Sequence, residues 1–165
     1  MELAKLMILF LVGDDYDTNV RTLKGIFYQS CSADTRLIVC SNAVPGFDSE
    51  QMIYAFRVIE KTDDFAQVVL HESNVRLSEV DLIKLFSNKF ESKYIAVIYT
   101  GDIFDDPSRL SYAMTQLDSS NKSKFNLNQN SILYKTNSLL DNLFKYNSKK
   151  STIVSTIKKL LLRGD

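Results

Sequence analysis

The sequence predicts an α/β fold, a three-layer sandwich with helices on both faces of a mostly parallel central sheet. Three observations predict it. Short apolar runs alternate with longer amphipathic stretches along the chain. Strands separated by helices pair in parallel through crossover connections. Apolar residues make up 45% of the 165 residues, enough for a real core in one domain, taken here as 1–165.

The elements follow in order. Leu6–Val12 reads as a buried first strand. Thr18–Ser30 carries Val20, Leu23, Ile26 and Phe27 on one helical stripe. Arg36–Cys40 reads as the second strand, punctuated by Val44-Pro45-Gly46, after which Asp48 or Ser49 caps a helix running to about Lys61. Gln67–His71 reads as the third strand. Ser78 caps the next helix, with Asp81 completing an approximate capping box and Val80, Ile83, Leu85 and Phe86 facing inward. Tyr94–Tyr99 reads as the fourth strand, and Pro107 opens a helix ending near Leu117. Asp118–Lys124 is a polar loop. Ser131–Lys135 reads as a last strand, Ser138–Phe144 as a helix, and Ser151–Arg163 as a terminal helix with Ile153, Val154, Ile157, Leu160 and Leu161 on one face.

Bulk chemistry narrows the function classes. The 20 basic and 20 acidic side chains cancel, so there is no global field to hold nucleic acid or an anionic membrane. Cys31 and Cys40 read as free thiols, and a single histidine, His71, makes a Cys/His zinc cluster unlooked for. The longest early apolar run spans seven residues, Leu6–Val12, far short of the ~20 a bilayer span requires. The expectation is a cytoplasmic protein with no transmembrane segment and no nucleic-acid partner.

Four segments in order resemble family 2 glycosyltransferases. Leu23-Lys24-Gly25-Ile26-Phe27-Tyr28-Gln29 is similar to the family's L-x-S-I-L-x-Q helix end, and Leu37–Cys40 followed by Ser41-Asn42 lies where the family has V-V-D-D-G-S. Within Lys93–Leu110, the residues Tyr94, Ile95, Ala96, Asp102, Ile103, Pro107, Arg109 and Leu110 fit E-Y-I-A-F-L-D-x-D-D-I-x-x-P-x-R-L. SILYKTNSLL, from Ser131, resembles the strand and turn after the metal site, and IKKLLLRGD resembles the end of the helix that starts with the catalytic Glu-Asp pair. The resemblance implies a compact GT-A, Rossmann-like fold and a nucleotide-sugar partner of the UDP type.

That family needs carboxylates. A divalent cation, Mn or Mg, neutralises the leaving diphosphate, held by an Asp-x-Asp pair, and a further carboxylate takes the acceptor's proton. Here the pair's slots fall on Tyr99 and Gly101, leaving Asp102 as the metal candidate. The acid pair after strand two is Ser41 and Asn42, and the base positions are Thr152 and Ile153. The candidate nucleotide-binding set is therefore Gly13, Asp14, Ser41, Asn42 and Asp102. Asp102, Asp105 and Asp106 offer a second acidic arrangement, or cap the helix after Pro107. Arg76 and Arg109 either face a diphosphate or make surface ion pairs.

Three functions follow as expectations. The first is a catalytically degenerate transferase acting as a binding or accessory module, with a partner glycosyltransferase or a nucleotide sugar. The second is an active divergent transferase using Asp102. The third is a receiver-like signalling domain, for which Asp14, Asp15, Thr100 and Lys135 imitate the acidic pair, hydroxyl and lysine, while His71 and Glu72 stand where the phosphoacceptor would be. Strand order separates the third from the others.

Overall fold

The structure is a computed structural model that describes residues 4–59, 65–143 and 145. Its core is β1, Ala4–Leu11, an apolar strand with no exposed residue beyond Lys5. Side chains alternate across a strand, so a run apolar at every position must be covered on both sides. Leu6, Ile8 and Phe10 pack into one hydrophobic cluster, and Met7, Leu9 and Leu11 into the other.

The remaining elements are α1 (Tyr16–Phe27), β2 (Thr35–Asn42), α2 (Ser49–Val58), β3 (Gln67–Ser73), α3 (Glu79–Ser87), β4 (Ser92–Tyr99), α4 (Arg109–Asp118), β5 (Lys124–Asn126) and β6 (Ile132–Lys135). Residues 136–143 are helical. Six strands form one sheet in the order β3-β2-β1-β4-β6-β5. The pairs β1–β2, β1–β4 and β2–β3 are parallel, and β6 runs antiparallel to both β4 and β5. The register sets Leu9 beside Ile38 on one side and Val97 on the other.

Helices α1, α2 and α4 cover the Leu6 side through Leu23, Ile26, Met52, Ala55, Leu110 and Met114. Helix α3 covers the Met7 side through Leu82, Ile83 and Phe86, with Leu139 and Leu143 packed beside it. The expected three-layer, mostly parallel sandwich is therefore present.

Local chemistry fixes the helix starts. The Asp15 carboxylate accepts from the Thr18 amide at 2.7 Å, so α1 begins at Tyr16, two residues before the expected start. Asp48 accepts from the amides of Glu50 and Gln51. Ser78 Oγ accepts from the Asp81 amide and donates to the Asp81 carboxylate, the expected reciprocal cap. Asp106 accepts from the Ser108 amide and hydroxyl, and Pro107 precedes α4 instead of lying in its first turn.

Several expectations are corrected. Val80 is 39% exposed and Leu82 takes its place on the inward face of α3, where the expected Ile83 and Phe86 are buried and Leu85 packs partly buried against the same cluster. Lys124 is not the end of a loop but the start of β5, a short edge strand whose polar residues hid it. The receiver-like reading falls on topology. That fold orders its strands 2-1-3-4-5, with the third beside the first. Here β4 lies beside β1 and β3 is at the edge. The expected terminal helix over Ser151–Arg163 lies outside the described residues, as do Lys61 and Phe144.

Candidate functional site

Chain direction across the sheet reverses at β1. The chain leaves β1 toward β2 and β3, then returns across to β4 on its other side. Crevices open at the carboxyl ends of strands at such switch points. A cleft of about 650 Å³ lies there, lined among others by Gly13, Asp14, Asn42, Arg76, Glu79 and Tyr99.

The floor is built on Asn19, which is 2% exposed. Its Nδ2 donates to the Gly13 carbonyl, and its Oδ1 accepts from the Gly13 amide and from Thr100 Oγ1, each at 2.8–2.9 Å. One side chain thus joins the end of β1, the start of α1 and the end of β4. Gly13 is needed here because a Cβ would lie 2.8 Å from Thr100 Cγ2.

The wall toward β3 is built on Asn42. Its Nδ2 donates to the Leu77 carbonyl and its Oδ1 accepts from the Leu77 amide, both at 2.8 Å. This pins the loop between β3 and α3, which carries Arg76. Both ends of the Asn42 amide are engaged in the fold. Arg76 and Asp14 are exposed lining residues. Among the described residues, Arg76 is the one cation that lines the cleft, and it has no hydrogen bond or ion pair there.

The wall at β4 carries Tyr99, one of the two positions where the resemblance expects carboxylates, while Gly101, the other, lies outside the lining. The Tyr99 hydroxyl donates to the Glu79 carboxylate at the start of α3. Burial, followed by that carboxylate, pushes the Tyr99 pKa far up, so the ring stays neutral. Gly101 sits at φ +91° and its amide donates to Thr22 Oγ1 at 3.0 Å. That backbone region disfavours any L side chain, so a carboxylate at 101 would be strained.

Asp102 is 5% exposed and is not among the residues that line the cleft. Its carboxylate accepts from Ser131 Oγ and, at 3.3 Å, from the Asn130 amide, and Ser131 Oγ in turn accepts from the Tyr99 amide. Asp102 therefore locks the β4 turn to the entry of β6. The structure brings Gly13, Asp14 and Asn42 to the cleft. It leaves Ser41, 1% exposed within β2, and Asp102 outside the cleft lining. Arg109 is likewise absent from the lining, its guanidinium donating to the Leu127 and Asn126 carbonyls beside the Phe125 ring.

Hard divalent cations take several oxygen ligands, mostly carboxylates. Among the described residues no group of three or more His, Cys, Asp or Glu side chains converges on one point. With Tyr99 bonded to Glu79, Gly101 bare and Asp102 engaged by Ser131, the described residues do not fit a divalent cation at the expected position. The expected base positions, Thr152 and Ile153, lie outside the described residues. No described helix is long and apolar enough to cross a membrane.

Sequence reasoning missed Asn19 and Glu79. Asn19 was hidden in the first turn of an expected helix, and Glu79 was one acid among several after Ser78. Only the fold brings them to Thr100 and Tyr99, 81 and 20 residues away.

No protein-family model matches the sequence, and no curated protein matches it. Solved structures match in fold. A mannosyltransferase from Pyrobaculum calidifontis, PcManGT, in complex with GDP-Man and Mn2+, superposes at a TM-score of 0.58 with 12% identity, over 74% of this chain and 35% of that one. TarS 1-349 of S. aureus, in complex with UDP-GlcNAc, gives a TM-score of 0.61 with 11% identity, over 84% of this chain and 47% of that one. A cytidylyltransferase from Leptospira borgpetersenii gives 0.50 with 8% identity, over 83% and 63%. The chain spans about one third to one half of the length of the two transferase structures. Strand order, two-sided helix packing and these superpositions agree: the chain has a compact, Rossmann-like GT-A fold of the glycosyltransferase type.

Proposed function

We propose that this chain is a catalytically degenerate glycosyltransferase-like module. It offers the donor-side cleft of the fold to a nucleotide or nucleotide sugar and serves a glycan-synthesis system as a binding or accessory component, without transferring the sugar. The observation that carries this reading is the state of the β4 end. Tyr99 and Gly101 hold the two metal-carboxylate slots, and Asp102 is spent on Ser131 and Asn130.

The physical argument is one of charge. Departure of a nucleoside diphosphate develops negative charge that must be neutralised in the transition state. Metal clamps supply several kcal/mol of that stabilisation. A cleft without the clamp retains shape and hydrogen-bonding groups, which is enough for binding and too little for turnover. The fold-level likeness to structures solved with GDP-Man and UDP-GlcNAc supports a nucleotide sugar as the ligand class for this chain.

The test is donor turnover. Purified protein is incubated with UDP-GlcNAc or GDP-mannose and Mn2+, and released UDP or GDP is quantified. The expected result is no release above the protein-free control. Sustained release that scales with protein concentration would establish an active divergent transferase and end this reading.

A further inference from the structure

We propose that Arg76 stands in for the divalent cation, so that the cleft holds a nucleoside phosphate as the free, metal-less anion. The inference deepens the binding reading above and rests on it.

Arg76 lines the cleft, is exposed, and among the described residues makes no hydrogen bond or ion pair. The polar side chains next to it on the cleft wall, Asn42, Ser78 and Glu79, are engaged. Asn42 is bonded twice to Leu77, Ser78 caps α3, and Glu79 accepts from Tyr99. A guanidinium presents a planar fork of donors that matches two phosphate oxygens at once. It is also a fixed charge, independent of pH in the working range.

Position supports the assignment. Leu77, the residue after Arg76, is clamped through both its backbone groups, so the Arg76 backbone is held while its side chain is free to close on a ligand. Asp14 follows β1, two strands away from the end of β3. Both residues line the one cleft, on the loops that follow β1 and β3. A phosphate at Arg76 and a sugar hydroxyl donating to Asp14 would keep the two negative groups apart.

Arg21 and Arg109, both outside the cleft lining, do not compete for the role. Arg109 donates to two backbone carbonyls and lies outside the cleft lining.

The experiment measures binding of UDP and of GDP by calorimetry, each in EDTA and in Mn2+, for the wild type, Arg76→Gln and the control Arg57→Gln, which changes an exposed arginine in the last turn of α2 outside the cleft lining. The expected result is binding of at least one nucleotide in EDTA, changed less than twofold by Mn2+ and weakened tenfold or more in Arg76→Gln alone. Affinity should also fall as salt is raised, because the contact is a partly exposed ion pair. The melting temperature of ligand-free Arg76→Gln should match the wild type, which separates lost contact from lost fold. Binding that requires Mn2+, or that survives Arg76→Gln unchanged, overturns the inference and leaves the binding reading in place. No binding of either nucleotide in either condition overturns both.

Discussion

Replacing Asp102 with alanine separates the two roles this residue could have. The carboxylate is 5% exposed and accepts from Ser131 Oγ, itself 0% exposed, and from the Asn130 amide at 3.3 Å. Truncation leaves the Ser131 hydroxyl without its acceptor in a buried site. Hydrogen bonds to a charged group contribute about 1.5–3 kcal/mol, and an orphaned buried donor costs about 1–3 kcal/mol. The Asn130 bond is long and partly exposed, so it adds little. A loss of about 2–3 kcal/mol is expected. For a chain of this size each kcal/mol moves the melting temperature by about 2–4 °C, so Asp102→Ala should melt about 5–10 °C lower. Urea unfolding followed by circular dichroism measures the change, with the midpoint falling and the slope unchanged. A double-mutant cycle with Ser131→Ala should return a coupling of about 1 kcal/mol or more, since the two side chains touch. A variant within 0.5 kcal/mol of wild type would refute the reasoning. It would mean that Asp102 is not a lock and that its carboxylate is available to a ligand.

Other perturbations test neighbouring contacts. Gly25→Ala places a Cβ 3.0 Å from Phe104 Cβ and 3.1 Å from the Phe104 carbonyl, and backbone there cannot yield as a side-chain tip would, so destabilisation of about 1–3 kcal/mol is expected in chemical denaturation. Asn42→Ala frees both backbone groups of Leu77 and should cost about 1–3 kcal/mol while weakening any ligand held by Arg76, read by unfolding and by calorimetry on one preparation. His71 has its pKa lowered by burial first and by the Lys89 charge second, with the Phe86 ring packed edge-on at 5.1 Å. Its folded pKa lies below its unfolded value near 6.5, so its contribution to stability is present above that pH and is lost as pH falls through the folded pKa. Unfolding free energies between pH 5 and 7.5 should show this slope in wild type and lack it in His71→Gln.

Much of the fold was legible because single segments decide it. Leu6–Val12, seven apolar residues followed at once by Gly13, Asp14 and Asp15, read best as a strand covered on both faces, and Ser78 with Asp81 named a helix start from three residues of spacing. The α3 face was misread because Val80 and Leu82 are both apolar, and only the sheet decides which of them turns inward. β5 escaped because a three-residue edge strand, Lys124-Phe125-Asn126, has one apolar residue and no period to detect. The site was less legible than the fold. That Tyr99 and Gly101 stand where the resemblance expects carboxylates could be read in sequence. The contacts around them could not, because Tyr99–Glu79, Asp102–Ser131 and Asn42–Leu77 join residues 20 to 35 positions apart. Asp102 and Asn42 carry the residue types of a binding site, and the fold has spent both on holding its own loops.

The central claim is that the end of β4 does not hold a divalent cation. Electron paramagnetic resonance of Mn2+ in the presence of UDP tests it directly, because the signal of hydrated Mn2+ is lost when a protein site takes the ion. The account predicts that adding the protein removes no signal beyond the loss UDP causes alone. Loss of signal in one-to-one proportion with protein, abolished by Asp102→Ala, would contradict it.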